Sequence, residues 1–472
     1  SNSAANLFCA YYGSFYGRVA KAAQTVDIFD NNDTVVNQHT NRKGKELWTD
    51  AGEGEKIKLF VADNENEEAQ YVASTILANF SRGENWRDHA ILYRMNAQSS
   101  QLEFACKRSG IPYRVVGGNR FFDRAEVKDM LAYLCVIASP NDDLRLSRII
   151  NSPPRGIGER SMEVARQLAQ QEGLSLFEII NHADSYPELS RPALKMRQFA
   201  NLIKELRSFS ENNTPDLLYD ELLEKTAYLQ MLEESGEDKD SARAENVKEL
   251  KSSILGFMKE SGDTSLDGYL ANVALYTDMD SYDKDSDCVV MMTMHSAKGL
   301  EFPNVFVVGM EETIFPSMRA IGEREEMEEE RRLCYVALTR AKRRLELVCA
   351  RQRMLFGRTN ANRVSRFVDE IPEEHITKNI PKGMSYGEQS SWSSTQRAQI
   401  KPAATFSAPT AKPAAPLPAF SLGDSVHHKA FGEGVIVKMT PMGGDYLVEI
   451  HFEQIGTKKL MLRVAAQMMT KL

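Results

Sequence analysis

Residues 288–308, Cys-Val-Val-Met-Met-Thr-Met-His-Ser-Ala-Lys-Gly-Leu-Glu-Phe-Pro-Asn-Val-Phe-Val-Val, decide the fold of this chain. The apolar runs 288–294 and 305–308 have the composition of strands that are buried on both faces, and a polar loop joins them. Strands of that kind occur in parallel sheets that are covered by helices. The stretch therefore predicts an α/β fold in which the loop after residue 294 lies at the carboxyl edge of the sheet, where such sheets bind ligands.

The segments on either side of this stretch alternate between strand and helix patterns. Residues 57–62, 89–93 and 113–116 are short and apolar like strands, and helices capped by residues such as Asn64 separate them. A further strand, 345–349, follows a helix on the C-terminal side. Neither group of strands is large enough for an ordinary covered sheet, so we predict that the two groups complete one sheet.

The remaining segments predict three other units. Residues 139–284 are almost wholly helical in pattern, which indicates an all-helical insertion. Residues 376–420 hold six of the 17 prolines and few large apolar groups, which is typical of a flexible linker. Short alternating segments with glycine turns in residues 421–472 predict a small β-barrel. The sheet domain then comprises residues 50–138 and 285–375, preceded by an N-terminal remnant, residues 1–49, with a helix that leads into it.

Composition limits the class of protein. With 472 residues, of which 42% are hydrophobic, the chain is long enough for about three domains with buried cores. It has no run of about 20 apolar residues, which excludes a transmembrane helix, and it lacks the pattern of a signal peptide. Its six cysteines are dispersed, so we expect a cytoplasmic protein without disulfides and without a metal site in this chain. The net charge of −8 confines any nucleic-acid contact to local patches.

Two segments carry residues suited to an anionic or sugar-containing ligand. In the loop after residue 294, Gly299 permits close approach of a ligand and Glu301 can accept hydrogen bonds from sugar hydroxyls. A plain turn would look the same. Arg340 projects from the apolar face of the helical segment 328–341, where it needs a partner. That partner is either a buried carboxylate or a phosphate, to which the planar guanidinium donates two hydrogen bonds.

Two further loops suit nucleic acid. Arg94 and Asn96 follow strand 89–93 and can bind phosphate or bases, although residues that cap the next helix would have the same composition. The loop Gly156-Ile157-Gly158 opens a helix and exposes successive backbone N–H groups, which suit a duplex phosphate. A simple corner between two helices is an equally good interpretation of this loop.

Three long motifs point to a family. Residues 293–303, 308–316 and 329–341 resemble motifs V, Va and VI of the PcrA/UvrD/Rep DNA helicases of superfamily 1 in order, spacing and identity. Residues 92–98 resemble motif IVa, and the proline-rich linker with the barrel resembles the SH3/Tudor-like tail of the PcrA and UvrD members. The resemblance runs from about residue 18 to the end. It implies a RecA-like domain 2A, interrupted by a helical domain 2B, and the C-terminal part of an ATP-dependent 3′–5′ DNA helicase.

The resemblance also implies roles for individual residues. Arg340 would be the catalytic arginine at the γ-phosphate of ATP, with Gly299 and Glu301 at the ribose and nucleotide edge. Magnesium would accompany ATP in the whole helicase. The tail would bind RNA polymerase, and the protein would be associated with the nucleoid. The expected DNA contacts, to the single strand and the duplex junction, are Arg94, Asn96, His295, Arg353, Phe356, Gly156, Ile157, Gly158 and Ser161.

The sequence departs from the family pattern in two places. It contains no Gly-x-x-x-x-Gly-Lys-Ser/Thr, the P-loop that cradles phosphates, so we expect no ATP hydrolysis by this chain alone. Residues 12–16, Tyr-Gly-Ser-Phe-Tyr, replace the expected motif IV and its arginine. The alternative hypothesis is a non-catalytic module that binds DNA and RNA polymerase. A helicase fused to a nuclease is disfavoured, because the tail has the pattern of a small barrel.

Overall fold

The computed structural model describes residues 55–278, 287–379, 420–442, 445–453 and 455–472. The predicted N-terminal remnant, the motif IV region at 12–16 and nearly all of the predicted linker lie outside these residues. No helix within them is both long enough and apolar enough to cross a membrane.

A seven-stranded parallel sheet forms the centre of the structure, which confirms the α/β prediction. The order of its strands is β3-β4-β2-β5-β6-β1-β9, so strands from the second part of the chain lie between those of the first part. The sheet also extends to Asn379, beyond the predicted domain end at residue 375. The strands are β1 (Ile57–Ala62), β2 (His89–Tyr93), β3 (Tyr113–Val116), β4 (Val289–Thr293), β5 (Phe302–Val307), β6 (Ala341–Ala350) and β9 (Ile376–Asn379).

Helices cover both faces of this sheet. Asn64 caps the first of them, because its side chain accepts hydrogen bonds from the backbone N–H groups of Asn66 and Glu67. Ile76 on that helix is fully buried against one face of the sheet, whereas Ala337 is buried against the other. The helices of this unit are α1 (Glu65–Phe80), α2 (Ser99–Arg108), α12 (Arg324–Leu338) and α13 (Arg366–Asp369).

The insertion between β3 and β4 is helical, as the sequence predicts. Its core includes Phe121 and Tyr133, so it begins before the predicted boundary at residue 139. Helix α3 belongs to this core because its apolar residues pack against the insertion rather than against the sheet. The helices are α3 (Ala125–Ala138), α4 (Asp143–Ile149), α5 (Glu159–Glu172), α6 (Leu176–Asn181), α7 (Ala193–Ser210), α8 (Pro215–Thr226), α9 (Tyr228–Glu234), α10 (Asp238–Ser261) and α11 (Leu266–Asp278).

A short antiparallel hairpin follows β6. Its strands are β7 (Arg353–Leu355) and β8 (Arg358–Asn360), and they pair directly. The two residues between them, Phe356 and Gly357, have φ angles of 56° and 74°. Positive φ at both central residues is the conformation of a type I′ turn, one of the two common two-residue hairpin turns.

The C-terminal unit is a five-stranded antiparallel sheet in the order β13-β12-β11-β10-β14. No pairing joins β13 to β14 within residues 420–472 as described, so the predicted barrel is corrected to an open sheet. Its elements are β10 (Ser425–His428), β11 (Gly432–Met442), β12 (Asp445–Phe452), β13 (Gly456–Met461), α14 (Leu462–Ala465) and β14 (Met469–Lys471).

This C-terminal sheet packs on the central α/β unit. The Phe431 ring lies 6.3 Å from the ring of Phe80 and 6.4 Å from that of Trp86, measured between centroids. A Cβ atom on Gly110, just after α2, would lie only 2.5 Å from a methyl carbon of Leu460. The sequence predicts a freely tethered unit, but the structure docks it, because these aromatic and aliphatic side chains bury apolar surface together.

Candidate functional site

The predicted site residues divide between the two edges of the central sheet. Pairing of Phe302 with Ala341 aligns the starts of β5 and β6, and pairing of Tyr93 with Thr293 aligns the ends of β2 and β4. The loop between β4 and β5 must therefore return across the sheet to begin the next parallel strand. Its first residues lie at the carboxyl edge and its last at the amino edge, which corrects the prediction that the whole loop lies at the carboxyl edge.

Arg340 lies at the amino edge, in the loop between α12 and β6, and is only 2% exposed. Its Nη1 donates to the carbonyl of Leu300 at 3.0 Å, and its Nε donates to the carbonyl of Val336 at 2.8 Å. The Phe302 N–H donates to the Arg340 carbonyl at 2.9 Å. These bonds join motif-VI-like and motif-V-like segments and hold the guanidinium beside the loop that contains Gly299.

Glu301 and Gly299 complete the group at the amino edge. One Glu301 oxygen lies 3.4 Å from the Lys342 ammonium, whereas Oε1 is buried without a hydrogen-bond partner among the described residues. Burying an acceptor without a donor is costly, so a hydroxyl that reached this oxygen would stabilise it. Gly299 is exposed with a φ of 87°, and nothing lies within 4 Å of the position of its missing Cβ. The structure thus places Arg340, Gly299 and Glu301 together at the amino edge, with open space beside Gly299.

Arg94 and His295 lie at the carboxyl edge. Arg94 Nη2 donates to Glu330 Oε1 at 2.6 Å, and Glu330 Oε2 accepts from the Ser317 N–H at 3.1 Å. His295 is exposed, and partial desolvation followed by the positive charge of Arg94 lowers its pKa below the usual value. The imidazole is therefore neutral near pH 7 and can act as hydrogen-bond donor and acceptor. Asn96 lies in the same loop as Arg94, and its carbonyl accepts from Arg124 at 3.2 Å.

Arg353 is buried, unlike a side chain that contacts DNA at the protein surface. It is 4% exposed, and its Nη2 lies 2.6 Å from both Glu68 Oε2 and Glu311 Oε1. Burial raises the pKa of Glu68 to about 7, against the lowering effect of Arg353. This buried cluster fixes the base of the hairpin to α1 and to the loop after β5. A contact between Arg353 and DNA stays a prediction.

Phe356 lies at the tip of the same hairpin and is half-buried. Its backbone N–H donates to Oε2 of Glu249 at 3.0 Å, and the next N–H, from Gly357, donates to Oγ of Ser252 at 2.8 Å. Both acceptors belong to helix α10 of the insertion, and no local pattern predicts that this helix lies beside the hairpin.

The glycine loop of the insertion is held by Asn151, whose Oδ1 accepts from the Ile157 N–H at 3.1 Å. Ile157 is buried in the helical core, whereas Gly156 and Gly158 are exposed. Gly156 has a φ of 68°, a conformation that glycine adopts without strain. Ser161, in the first turn of α5, is half-buried. The four predicted residues therefore form one corner, with Ile157 as its anchor.

One positive charge beside this corner comes from a residue that no local pattern connects to it. Arg155 does not supply this charge to the surface, because its Nη1 donates hydrogen bonds to the carbonyl oxygens of Ile149 and Ile150, both at 3.0 Å. Instead, the exposed Lys195 of α7 places Nζ 2.7 Å from where a Cβ of Gly156 would lie. Lys195 is 39 positions away from the loop in sequence, and no local pattern could have connected the two.

Comparisons with known proteins agree with these motifs. A family model described as the UvrD-like helicase C-terminal domain matches residues 25–352, and one described as the PcrA/UvrD tudor domain matches residues 422–466. An ATP-dependent DNA helicase PcrA from Staphylococcus aureus (strain Mu50) is 38% identical over 453 residues, covering 93% of this chain and 60% of that protein. The Staphylococcus epidermidis helicase of the same name is 38% identical over 445 residues, with the same coverage.

The chain thus spans about 60% of the length of the curated relatives that it matches. A solved structure described as the C-terminal domain of a possible DNA helicase, from a Lactobacillus, covers 24% of this chain at 21% identity, with a TM-score of 0.15. That score is too low to establish a shared fold. Among residues 55–278, 287–379 and the described tail, no cluster of His, Cys, Asp or Glu could hold a metal ion.

The pH dependence of stability should reveal the buried Glu249. Burial raises the pKa of this carboxyl to about 8, and the charge of Glu65 adds to the rise. A carboxyl with a raised folded-state pKa favours folding most below its unfolded value of 4.5 and loses that contribution as the pH rises through about 8. We therefore expect the free energy of unfolding to fall between about pH 5 and pH 8 more steeply in the native chain than in Glu249→Gln. Urea unfolding at stepped pH would measure this, and parallel profiles would contradict it.

Proposed function

The chain belongs to the UvrD-like helicase family, and we propose that it is the C-terminal part of an ATP-dependent 3′–5′ DNA helicase and translocase. The observation that carries this proposal is the separation of two groups of residues on one sheet. Gly299, Glu301 and Arg340 lie together at the amino edge, whereas Arg94 and His295 lie together at the carboxyl edge. A motor that couples a nucleotide to a strand needs two such sites on one rigid body.

At the amino edge, the chain supplies one wall of a nucleotide site. The unpartnered Oε1 of Glu301 would accept a hydrogen bond from a ribose hydroxyl, and the exposed backbone at Gly299 leaves room for the ligand. Arg340 would exchange its hydrogen bonds to neutral oxygens for phosphate oxygens and stabilise negative charge there. ATP with Mg²⁺ supplies the phosphoryl chemistry in the whole helicase, and the residues described here offer no ligand cluster for the metal.

At the carboxyl edge, the chain supplies contacts to DNA. Arg94 is held by Glu330 and remains partly exposed, so its orientation is fixed while its charge stays within reach of a phosphate. His295 is exposed beside it. Phe356 at the hairpin tip would lie at the duplex junction, with Arg353 at its base. The glycine corner, with Lys195, would hold duplex phosphates.

The C-terminal sheet would bind a protein partner, and resemblance to the PcrA and UvrD tails points to RNA polymerase. The side of this unit that carries Phe431 docks on the central unit, but Leu422, Val437 and Leu472 stay at least half exposed. We propose that these exposed apolar residues form part of the surface that binds the partner. A helicase with these partners would work in the cytoplasm at the nucleoid.

A second hypothesis is a non-catalytic module that binds DNA and RNA polymerase. The absence of a Gly-x-x-x-x-Gly-Lys-Ser/Thr motif from the 472 residues favours it for this chain on its own. The two hypotheses differ in whether Arg340 contributes to ATP turnover once a P-loop domain is present.

Arg340→Ala should separate the two hypotheses in the whole helicase. We expect ATP turnover to fall by about 10³-fold or more, because the guanidinium stabilises charge that develops during transfer. Nucleotide affinity should change little, and steady-state ATPase with fluorescent-nucleotide titration would measure both. The 472-residue chain alone should show no DNA-stimulated ATPase. Equal losses of binding and turnover would make Arg340 a structural residue.

Lys195→Ala should weaken binding to a duplex–single-strand junction and leave single-strand binding unchanged. If Lys195 contacts one phosphate, the slope of log affinity against log salt should fall by about 1. Fluorescence anisotropy with labelled junctions would measure this. Arg197→Ala is the matched control, because Arg197 lies on the same helix but pairs with Asp184 at 3.1 Å.

Bulky side chains at Gly156 and Gly158 should likewise weaken binding to junctions more than binding to single strands. Equal weakening of both substrates would leave the glycine loop as a plain corner.

Residues 420–472 should capture purified RNA polymerase in a pull-down, and their deletion should leave unwinding by the whole helicase nearly intact. Val437→Asp, on the exposed face, should abolish capture because it places a charge in the apolar surface. Glu453→Gln, an exposed change near a strand end, is the control. Failure to capture polymerase, together with a deletion that cripples unwinding, would assign the C-terminal sheet to the motor instead.

A further inference from the structure

The tip of the hairpin β7–β8 adopts a conformation that its sequence does not favour. Phe356 has a φ of 56°, in the left-handed region, although it carries a bulky side chain. A bulky residue in this conformation is strained and persists where its surroundings hold it in place. Gly357 has a φ of 74°, which glycine adopts without strain. A Cβ atom at this position would lie only 2.8 Å from Cδ of Lys251. The tip is therefore strained at one residue and closely covered at the next.

The contacts that hold this tip come from helix α10 of the helical insertion. Glu249 and Ser252 lie one turn apart on that helix, and they accept hydrogen bonds from the N–H groups of Phe356 and Gly357 at 3.0 and 2.8 Å. The Ser252 hydroxyl also donates to Oε2 of Glu249 at 3.1 Å, so the two acceptors support each other. Oε1 of Glu249 accepts from the Ser100 hydroxyl at 3.3 Å, which adds α2 to the same network.

This network is buried, and its central carboxyl has no compensating cation. Glu249 is 2% exposed and Ser252 is 1% exposed. Across the part of the chain that the structure describes, no lysine or arginine forms an ion pair with Glu249, and burial raises its pKa. Burial of a carboxyl without an ion pair is unfavourable, so an apolar residue would serve packing better at this position. What the carboxyl adds is its set of hydrogen bonds to the hairpin tip and to α2.

We propose that Glu249 and Ser252 of helix α10 form a clamp that holds the hairpin tip in its left-handed turn and so positions the Phe356 ring. The base of the hairpin is fixed to the central unit through Arg353, with Glu68 and Glu311. The tip is fixed to the helical insertion. The hairpin therefore spans both units, and the position of its aromatic ring depends on the insertion remaining docked. The consequence for DNA rests on the proposed function, in which Phe356 meets the duplex junction.

Hydrogen exchange of the full 472-residue chain tests the clamp without any ligand. In Glu249→Ala we expect the amides of Phe356 and Gly357 to exchange at least about tenfold faster than in the native chain, because each loses its acceptor or the support of that acceptor. Glu249→Gln should keep most of the protection, since its amide oxygen can still accept from the Phe356 N–H. Lys248→Ala is the matched control, because Lys248 lies on the same helix and pairs with Glu233 at 2.6 Å. If Glu249→Ala fails to fold, Ser252→Ala carries the test at the Gly357 amide.

Unchanged protection of both amides in Glu249→Ala, or of the Gly357 amide in Ser252→Ala, would overturn the clamp. A second measurement tests the positioning of the ring, with anisotropy titrations of labelled junction and single-stranded DNA. Glu249→Ala should lower the preference for the junction about as much as Phe356→Ala does, and Glu249→Gln should restore it. If only Phe356→Ala lowers the preference, the clamp does not position the ring. If Phe356→Ala has no effect, the junction role of the hairpin fails, while the exchange result still decides the clamp.

Discussion

The parallel pairing of β4 between β3 and β2 is the constraint on which the rest of this structure depends. The chain leaves the sheet after β3 and returns in β4, and these two strands are neighbours, with Tyr113 paired to Val289. The helical insertion therefore connects two neighbouring strands of the sheet, and it can be accommodated without a change in their pairing. The same pairing brings the end of β4 beside the end of β2, and with it His295 beside Arg94. Without the pairing of β4, neither the position of the insertion nor that of the carboxyl-edge residues Arg94 and His295 would be determined.

The sheet also sets the distance between the two candidate sites. Strand β6 begins directly after Arg340 at the amino edge and ends at Ala350, close to the buried cluster of Arg353 at the carboxyl edge. Ten residues of extended strand span about 33 Å, and residues 345–350 are buried. A close-packed strand of this kind moves as a rigid body rather than bending. In the proposed function, a displacement at one edge would be carried to the other and would couple the nucleotide to the strand of DNA.

Buried ionisable side chains connect the units in a way that apolar packing alone would not. Arg353 lies between Glu68 and Glu311, and Glu249 reaches from the insertion to the hairpin tip. Each arrangement costs desolvation, which its directed hydrogen bonds offset only in one geometry. Apolar contacts tolerate small shifts, whereas these bonds do not. The hairpin is accordingly held in one position by two different units, while the C-terminal sheet rests on the central unit through the aromatic contacts of Phe431.

Local pattern determined much of this protein. The bounds of β2 and β3, the Asn64 cap and the helical character of the insertion follow from periodicity and capping, which act over a few residues. Specific motifs also identified Arg340, Gly299 and Glu301 as one group, which the structure brings together.

Tertiary structure alone decided the strand order, the edge at which each group lies and the burial of Arg353. It also decided the contacts of Glu249 with Phe356 and of Lys195 with the loop at Gly156, and the docking of the C-terminal sheet. These contacts join segments far apart in the chain, and their energies come from burial and hydrogen bonds that exist only once the units have packed, so no local pattern records them.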